Sequence, residues 1–455
     1  MVVSKGLLVR IWNGPLAVLV LATSCGVNPV GQPTGGITLP RPDASTAVAS
    51  DAGDAGRAGD AEPHGDAGML VGPTTRGYVV IDTDYQSTNV SLVSNDDQVA
   101  SSSFISSSSA KPGLSAPLGG DVVPPTMLVP GNEIVLIDRY PASVLTWVNL
   151  DTASVRGQLS VATGFSSNPH DYVPYTANKA FVPRYEPNLA SGKQPFDGGN
   201  DVLVIDPSVP KITGRIDMTP VLAGEPAGFY PHADRAVIAG GKLRVTADGF
   251  NVGYTKHVDA RIVTIDPDTN AITQTLVFAG MTSCANIAVS PNGRELALGC
   301  NGDYEEDPAD GFPDAGIIVV SVGDALTETK RLTSKALGID QVYTLEWSGP
   351  ETLVVVTSGI LASDRTTVLA PDRVQTVNVR TGVASAAVFE TKTTAFSLGD
   401  VRCELSNRTC LVTDAETDGG VLEQFTVASD GTVSLARRFK VDPAIGLPPR
   451  NLGRY

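Results

Sequence analysis

One short phrase returns seven times along this chain: an apolar strand ending in a small polar residue, then a turn, then a second strand. It reads Tyr78-Val79-Val80-Ile81-Asp82, Leu145-Thr146-Trp147-Val148-Asn149, Val202-Leu203-Val204-Ile205-Asp206 and Ile262-Val263-Thr264-Ile265-Asp266. It returns in weaker form as Ile318-Val319-Val320-Ser321, Gln375-Thr376-Val377-Asn378 and Glu423-Gln424-Phe425-Thr426. A single hairpin cannot bury its apolar face alone, so a chain that repeats one must build an array. Seven units predict an all-β fold, a seven-bladed β-propeller of four-stranded antiparallel blades. Few aromatics (6%) and abundant turn formers (46 Gly, 32 Pro) agree with many short strands rather than long helices.

Less regular inner hairpins lie between these phrases. Met127-Leu128-Val129 is expected to face Ile134-Val135-Leu136 across Pro130-Gly131-Asn132. Val237-Ile238 is expected to face Leu243-Arg244-Val245, Ile287 to Val289 to face Leu296 to Leu298, and Tyr343 to Trp347 to face Leu353 to Val356. Their tips carry the Gly, Pro and Asn that tight turns need. The first outer hairpin, Tyr78 to Ser94, has no inner partner before it. Pairing of the C-terminal segment Arg450 to Tyr455 with the first blade would close the ring, and Ser101 to Ser106 reads as a further strand of that blade.

Residues 1–24 read as an export signal: Lys5 and Arg10, then the apolar core Leu16 to Ala22, then small residues before Cys25. That core is far short of the roughly 20 residues that span a bilayer. Leu21-Ala22-Thr23-Ser24-Cys25 resembles a bacterial lipobox, with Ala22 where that motif prefers Leu. The resemblance implies cleavage before Cys25, lipidation of its thiol and anchoring to the membrane. Gly26 after the Cys, by resemblance to a sorting rule of some diderm bacteria, implies the outer membrane, on its periplasmic face or at the cell surface. Residues 25–75 follow as an Asp/Ala/Gly/Pro-rich tether with no apolar periodicity, expected to be a flexible coil of about 40 Å end to end. The propeller domain, expected to be monomeric, takes 76–455. The net charge of −16 becomes −18 without Lys5 and Arg10, a surface that repels phosphate backbones and argues against nucleic acid as a partner.

Val202-Leu203-Val204-Ile205-Asp206-Pro207 and Ile262 to Thr269 resemble the repeat of the YVTN-type β-propeller family. Ala288-Val289-Ser290-Pro291-Asn292-Gly293-Arg294-Glu295-Leu296 resembles its SPDG-x-x-L hairpin, with Asn292 in place of Asp. The resemblance spans about 78–440. It implies the fold and leaves activity open, since the family includes surface and periplasmic binding proteins and related propellers include lactonases.

Four cysteines remain after Cys25. A turn at Asn292 sets Cys284 against Cys300, and a two-residue turn at Ser406-Asn407 sets Cys403 against Cys410. In an exported chain both pairs are expected to be disulfides. Their spacing does not match paired Cys-x₂-Cys knuckles, so no metal or other cofactor is expected. The acidic run Asp303 to Asp310 lacks EF-hand spacing and reads as a solvated loop.

Arg139-Tyr140 and Arg184-Tyr185 recur at matching places, each after an inner strand and before an outer hairpin. They suit an anion or sugar site at the channel mouth, or a tie from blade to blade; repetition at each junction favours the tie. His170-Asp171 opens an inner strand and is a further candidate for the mouth. There is no G-x-S-x-G, H-E-x-x-H, P-loop or dinucleotide motif, so catalytic residues are not assigned. The reading is a non-catalytic binding or scaffolding module for a protein, peptide or glycan. The alternative is a lactonase- or hydrolase-like propeller with its active site at the central channel mouth, which carries His170 and Asp171; His232 and Glu186 are further groups that would have to converge there. Cys25→Ala should release the protein from membranes, and mass spectrometry should find acyl groups on Cys25; membrane recovery unchanged by the mutation would contradict the anchor.

Overall fold

The computed structural model describes residues 75–303, 310–362, 364, 366–416, 419–429 and 431–455. The leader, Cys25, the tether to residue 74 and the acidic loop at 304–309 lie outside the described residues. The described residues form seven four-stranded antiparallel blades arranged as a propeller. Blade 4 shows the pattern: Phe229–Ala239 is innermost, followed outward by Lys242–Asn251, His257–Ile265 and Ile272–Val277. In blade 6 the outermost position is shared by Val383–Ala384 and Phe389–Glu390.

The ring closes as the C-terminal sequence suggested. Pro449–Arg454 is the inner strand of blade 1 and pairs antiparallel with Gly77–Thr83, Leu452 opposite Val80. Closure shifts the place of the first repeat. Tyr78 to Asp82 lies in the second strand of its blade, whereas the other six copies lie in third strands; the third strand of blade 1 is Thr88–Ser94, and Val99–Ser106 is outermost. Second and third strands are both covered on two faces, so both read as near-continuous apolar runs and the sequence does not tell them apart.

Three of the four inner hairpins have the expected register: Ile238 faces Leu243, Ala288 faces Ala297, and Leu345 faces Val355. The fourth is a correction. The inner strand of blade 2 is Val122–Val123, and Val123 pairs with Ile137. Pro124-Pro125 remove two N–H donors and end the strand there. Met127 instead packs against the cores on both sides of blade 4, its sulfur accepting the Ile238 amide at 3.0 Å. This segment therefore reaches past the short inner strand of blade 3 (Val173–Thr176) to the inner strand of blade 4.

Apolar side chains gather in seven clusters, each between two neighbouring blades. The cluster at the closing junction of blades 7 and 1 is the smallest, built on Tyr78, Val80, Val93, Leu411, Leu422, Val441 and Leu452. The Cys284–Cys300 and Cys403–Cys410 sulfurs are bonded at 1.99 and 2.03 Å. Cys403 and Cys410 face each other directly, while Cys284 precedes its strand and meets Cys300 one place off the register in which Asn286 faces Gly299.

Leu452→Ala should destabilise the domain by about 2–5 kcal/mol, as for other fully buried Leu truncations. A chain ending at Pro448 loses the whole closing strand and should show no cooperative thermal transition. Wild-type melting of that shortened chain would contradict closure by the C terminus.

Candidate functional site

Both recurrent arginines are buried, and each is held by an aspartate. Arg184, within Lys179–Pro187 of blade 3, spends all five N–H donors inside the fold. Two go to the Asp201 carboxylate (2.7 Å each), one to the Val161 carbonyl (3.0 Å), one to Thr163 Oγ1 (2.6 Å) and one to the Phe196 carbonyl (2.6 Å). No donor is left for a ligand. Arg139 directly follows the second strand of blade 2 (Glu133–Asp138) and ion-pairs with Asp121, which precedes the inner strand of the same blade. Burial opposes its charge, but Asp121 outweighs burial and raises its pKa. Their tyrosines diverge: Tyr140 is 41% exposed, Tyr185 1%.

Tyr185 belongs to a sealed aromatic stack between blades 3 and 4. Its ring lies on His170 (centroids 4.2 Å apart, 12° between planes) and 4.7 Å from His232 on the other side. Tyr254 and Phe250 extend the stack beyond His232, at 5.2 and 5.6 Å. His170 Nδ1 is 2.8 Å from Asp234 Oδ1, and Tyr254 donates to Glu186 at 2.6 Å. His170 Nε2 and the Tyr185 hydroxyl meet no hydrogen-bond partner in the protein. Burial lowers the His232 pKa to about 3, so its imidazole is neutral. Of the four groups considered for hydrolysis, His170, His232 and Glu186 share this stack.

Asp171 does not. Its Oδ1 accepts the amides of Thr126 (2.9 Å) and Tyr172 (2.8 Å), and its Oδ2 accepts that of Ala236 (2.9 Å). It fastens the blade 2 segment, blade 3 and blade 4 together. Similar ties run from Asp248 to the Cys284 amide (3.2 Å), from Asp372 to that of Leu398 (2.9 Å) and from Asp400 to that of Leu452 (3.1 Å).

The central channel carries a second set of charged groups. Arg402 on the inner strand of blade 7 (Leu398–Glu404) lies within electrostatic reach of Arg235 on the inner strand of blade 4, and of Glu346 and Arg454 from blades 6 and 1. Blades 4 and 7 stand on opposite sides of a seven-membered ring, so that reach runs across the axis. At the candidate mouth, the end of the channel where the inner strands begin, Tyr343 of blade 6 (Val342–Trp347) lies within electrostatic reach of Tyr85 of blade 1, Arg139 of blade 2, Asp400 and Arg450. Burial raises the pKa of Tyr343 and of Tyr85. Sequence reasoning did not find this set. Its signal is a charge pair inside the strand that opens a blade, as in Asp234-Arg235 and Asp400-Val401-Arg402. Among the described residues, no three His, Cys, Asp or Glu side chains are placed to hold a metal. A groove of 460 Å³, lined in part by Leu92, Phe104, Lys111, Leu150 and Tyr455, lies between blades 1 and 2, away from the channel.

No family model matches the chain, and no curated protein matches it. Solved structures do. A hypothetical selenium-binding protein from Sulfolobus tokodaii is 8% identical with a TM-score of 0.57, over 84% of this chain and 94% of that one. The β-propeller domain of Cps50 (Swd1) from Myceliophteria thermophila is 11% identical with a TM-score of 0.52, over 77% and 94%. The periplasmic gluconolactonase PpgL of Pseudomonas aeruginosa is 12% identical with a TM-score of 0.47, over 84% and 99%. At these identities the likeness is one of fold.

Burial, reinforced by the Asp234 charge, raises Asp248 to about 7; burial likewise raises Asp82 to about 7 and Asp138 to about 6. Between the unfolded carboxylate pKa near 4 and these folded values, the folded chain holds protons that the unfolded chain has released. Stability therefore falls as pH rises through that window. The melting temperature should be higher at pH 5 than at pH 8. Asp248→Asn, whose amide oxygen can still accept the Cys284 amide, should raise it at pH 8 more than at pH 5. An equal effect at both pH values would contradict a protonated Asp248.

Proposed function

We propose that this chain is a YVTN-type propeller of the cell envelope, lipid-anchored at Cys25, that binds a protein, peptide or glycan at its channel mouth without chemistry. The observation that carries this reading is the state of the groups a hydrolase would need. Both Asp171 oxygens are occupied by backbone amides, and His170 and His232 are each 1% exposed with the Tyr185 ring between them. A general base must come within hydrogen-bond reach of its substrate, and these groups are buried within the fold instead. The mouth, by contrast, offers Tyr85, Tyr343 and Arg450, all only partly buried. Two disulfides suit an exported protein. One observation favours the hydrolase reading: a carboxylate orients His170, whose second nitrogen has no partner.

A panel of lactones and esters separates the two. The full chain should give no turnover above buffer. It should retain a cell-envelope component in pull-down, and Tyr343→Ala should lose that component while melting close to wild type. Lactone or ester turnover abolished by His170→Ala would overturn the binding reading.

A further inference from the structure

We propose that Arg235 and Arg402 form an oxyanion site inside the channel, one that takes a carboxylate or phosphate group of the ligand; this deepens the binding reading above. The argument begins with neutralisation. A buried guanidinium normally sits against a carboxylate in hydrogen-bonding contact, because an unpaired buried charge is costly. Arg184, Arg139 and Arg261 obey this, through Asp201, Asp121 and Glu225. Arg454 obeys it through Glu346 at 2.9 Å.

Arg402 and Arg235 do not. The Arg402 side chain is 10% exposed, and its nearest carboxylate oxygen, Asp400 Oδ2, is 3.9 Å away and already accepts the Leu452 amide. Its hydrogen bond within the fold goes to the neighbouring Val401 carbonyl at 2.7 Å. Arg235 likewise stands 3.9 Å from Asp234 Oδ1, which is engaged by His170, and gives one N–H to the His170 carbonyl at 3.1 Å. Burial, with the added charges of Arg454 and Arg235, holds Arg402 below the usual guanidinium pKa.

Both guanidinium groups thus keep N–H donors that the fold leaves uncommitted, on inner strands of blades that stand across the axis from each other. Planar N–H forks approaching from two sides match the geometry of a carboxylate or phosphate. The segment carrying Met127 crosses to Ile238, further along the blade 4 strand than Arg235. An anion entering from the mouth passes Arg450 and Tyr343 before it meets the pair.

Isothermal titration of the full chain with succinate and with inorganic phosphate, at matched ionic strength against chloride, tests the site. Saturable binding of either at one site per chain is expected, and the preferred anion distinguishes carboxylate from phosphate. Arg402→Met should weaken binding about tenfold or more, the scale of a lost charge-assisted hydrogen bond. Without anion it should melt no lower than wild type, since it removes a charge the fold leaves without a close partner. Arg235→Met should weaken binding similarly, which keeps the test decisive if the first variant folds poorly. No saturable heat with either anion, or full affinity in the variants, would overturn the proposal. Anion binding that survives while Tyr343→Ala leaves partner capture unchanged would leave this site standing and remove the mouth reading. Partner capture without anion binding would do the reverse.

Discussion

Everything in this fold depends on one strand pairing made by the last residues of the chain. Pro449–Arg454 joins Gly77–Thr83 across the whole length of the described sequence and supplies blade 1 with its inner strand. The closing junction also has the smallest apolar cluster of the seven, so backbone pairing carries more of the stability there than elsewhere. An open array would leave a bare inner edge on blade 1 and no enclosed axis. The same strand brings Arg450 and Arg454 to the channel, so closing the ring and furnishing the site are one event.

Between blades, two kinds of contact share the work. Apolar layers bury the faces of the middle strands. Aspartates at strand ends then accept amides from the next blade: Asp171 toward blade 4, Asp248 toward blade 5, Asp372 toward blade 7 and Asp400 toward blade 1. These carboxylates tie four of the seven inner strand segments to the preceding blade. Asp400 accepts the Leu452 amide and stands 3.9 Å from Arg402, so the channel keeps a guanidinium without a close counter-charge.

Much of this architecture was legible in the sequence, because local rules and the global fold agree there. Third strands covered on both faces read as apolar runs ending in Asp or Asn, and the turns between them hold Gly, Pro and Asn. The Ser406-Asn407 turn was enough to set Cys403 opposite Cys410. Reading failed where tertiary context decides. The first repeat occupies a second strand because its inner partner comes from the other end of the chain. Met127 to Val129 looks like a strand, yet Pro124-Pro125 release it to cross toward blade 4. The site was the least legible part. His170-Asp171 stood out as a motif, but the two residues have different duties, one in the stack and one as a backbone clamp. Arg235 and Arg402 are far apart in sequence and come within electrostatic reach only because blades 4 and 7 oppose each other.

The central claim is that the channel axis, not the histidine stack, is where this protein meets its ligand. Anomalous diffraction from crystals of the full chain soaked in selenate tests it most directly, selenate being an oxyanion with a strong selenium signal. The account predicts a selenium peak between the guanidinium groups of Arg235 and Arg402. Peaks confined to the outer surface or beside His170, with none between the two arginines, would contradict it.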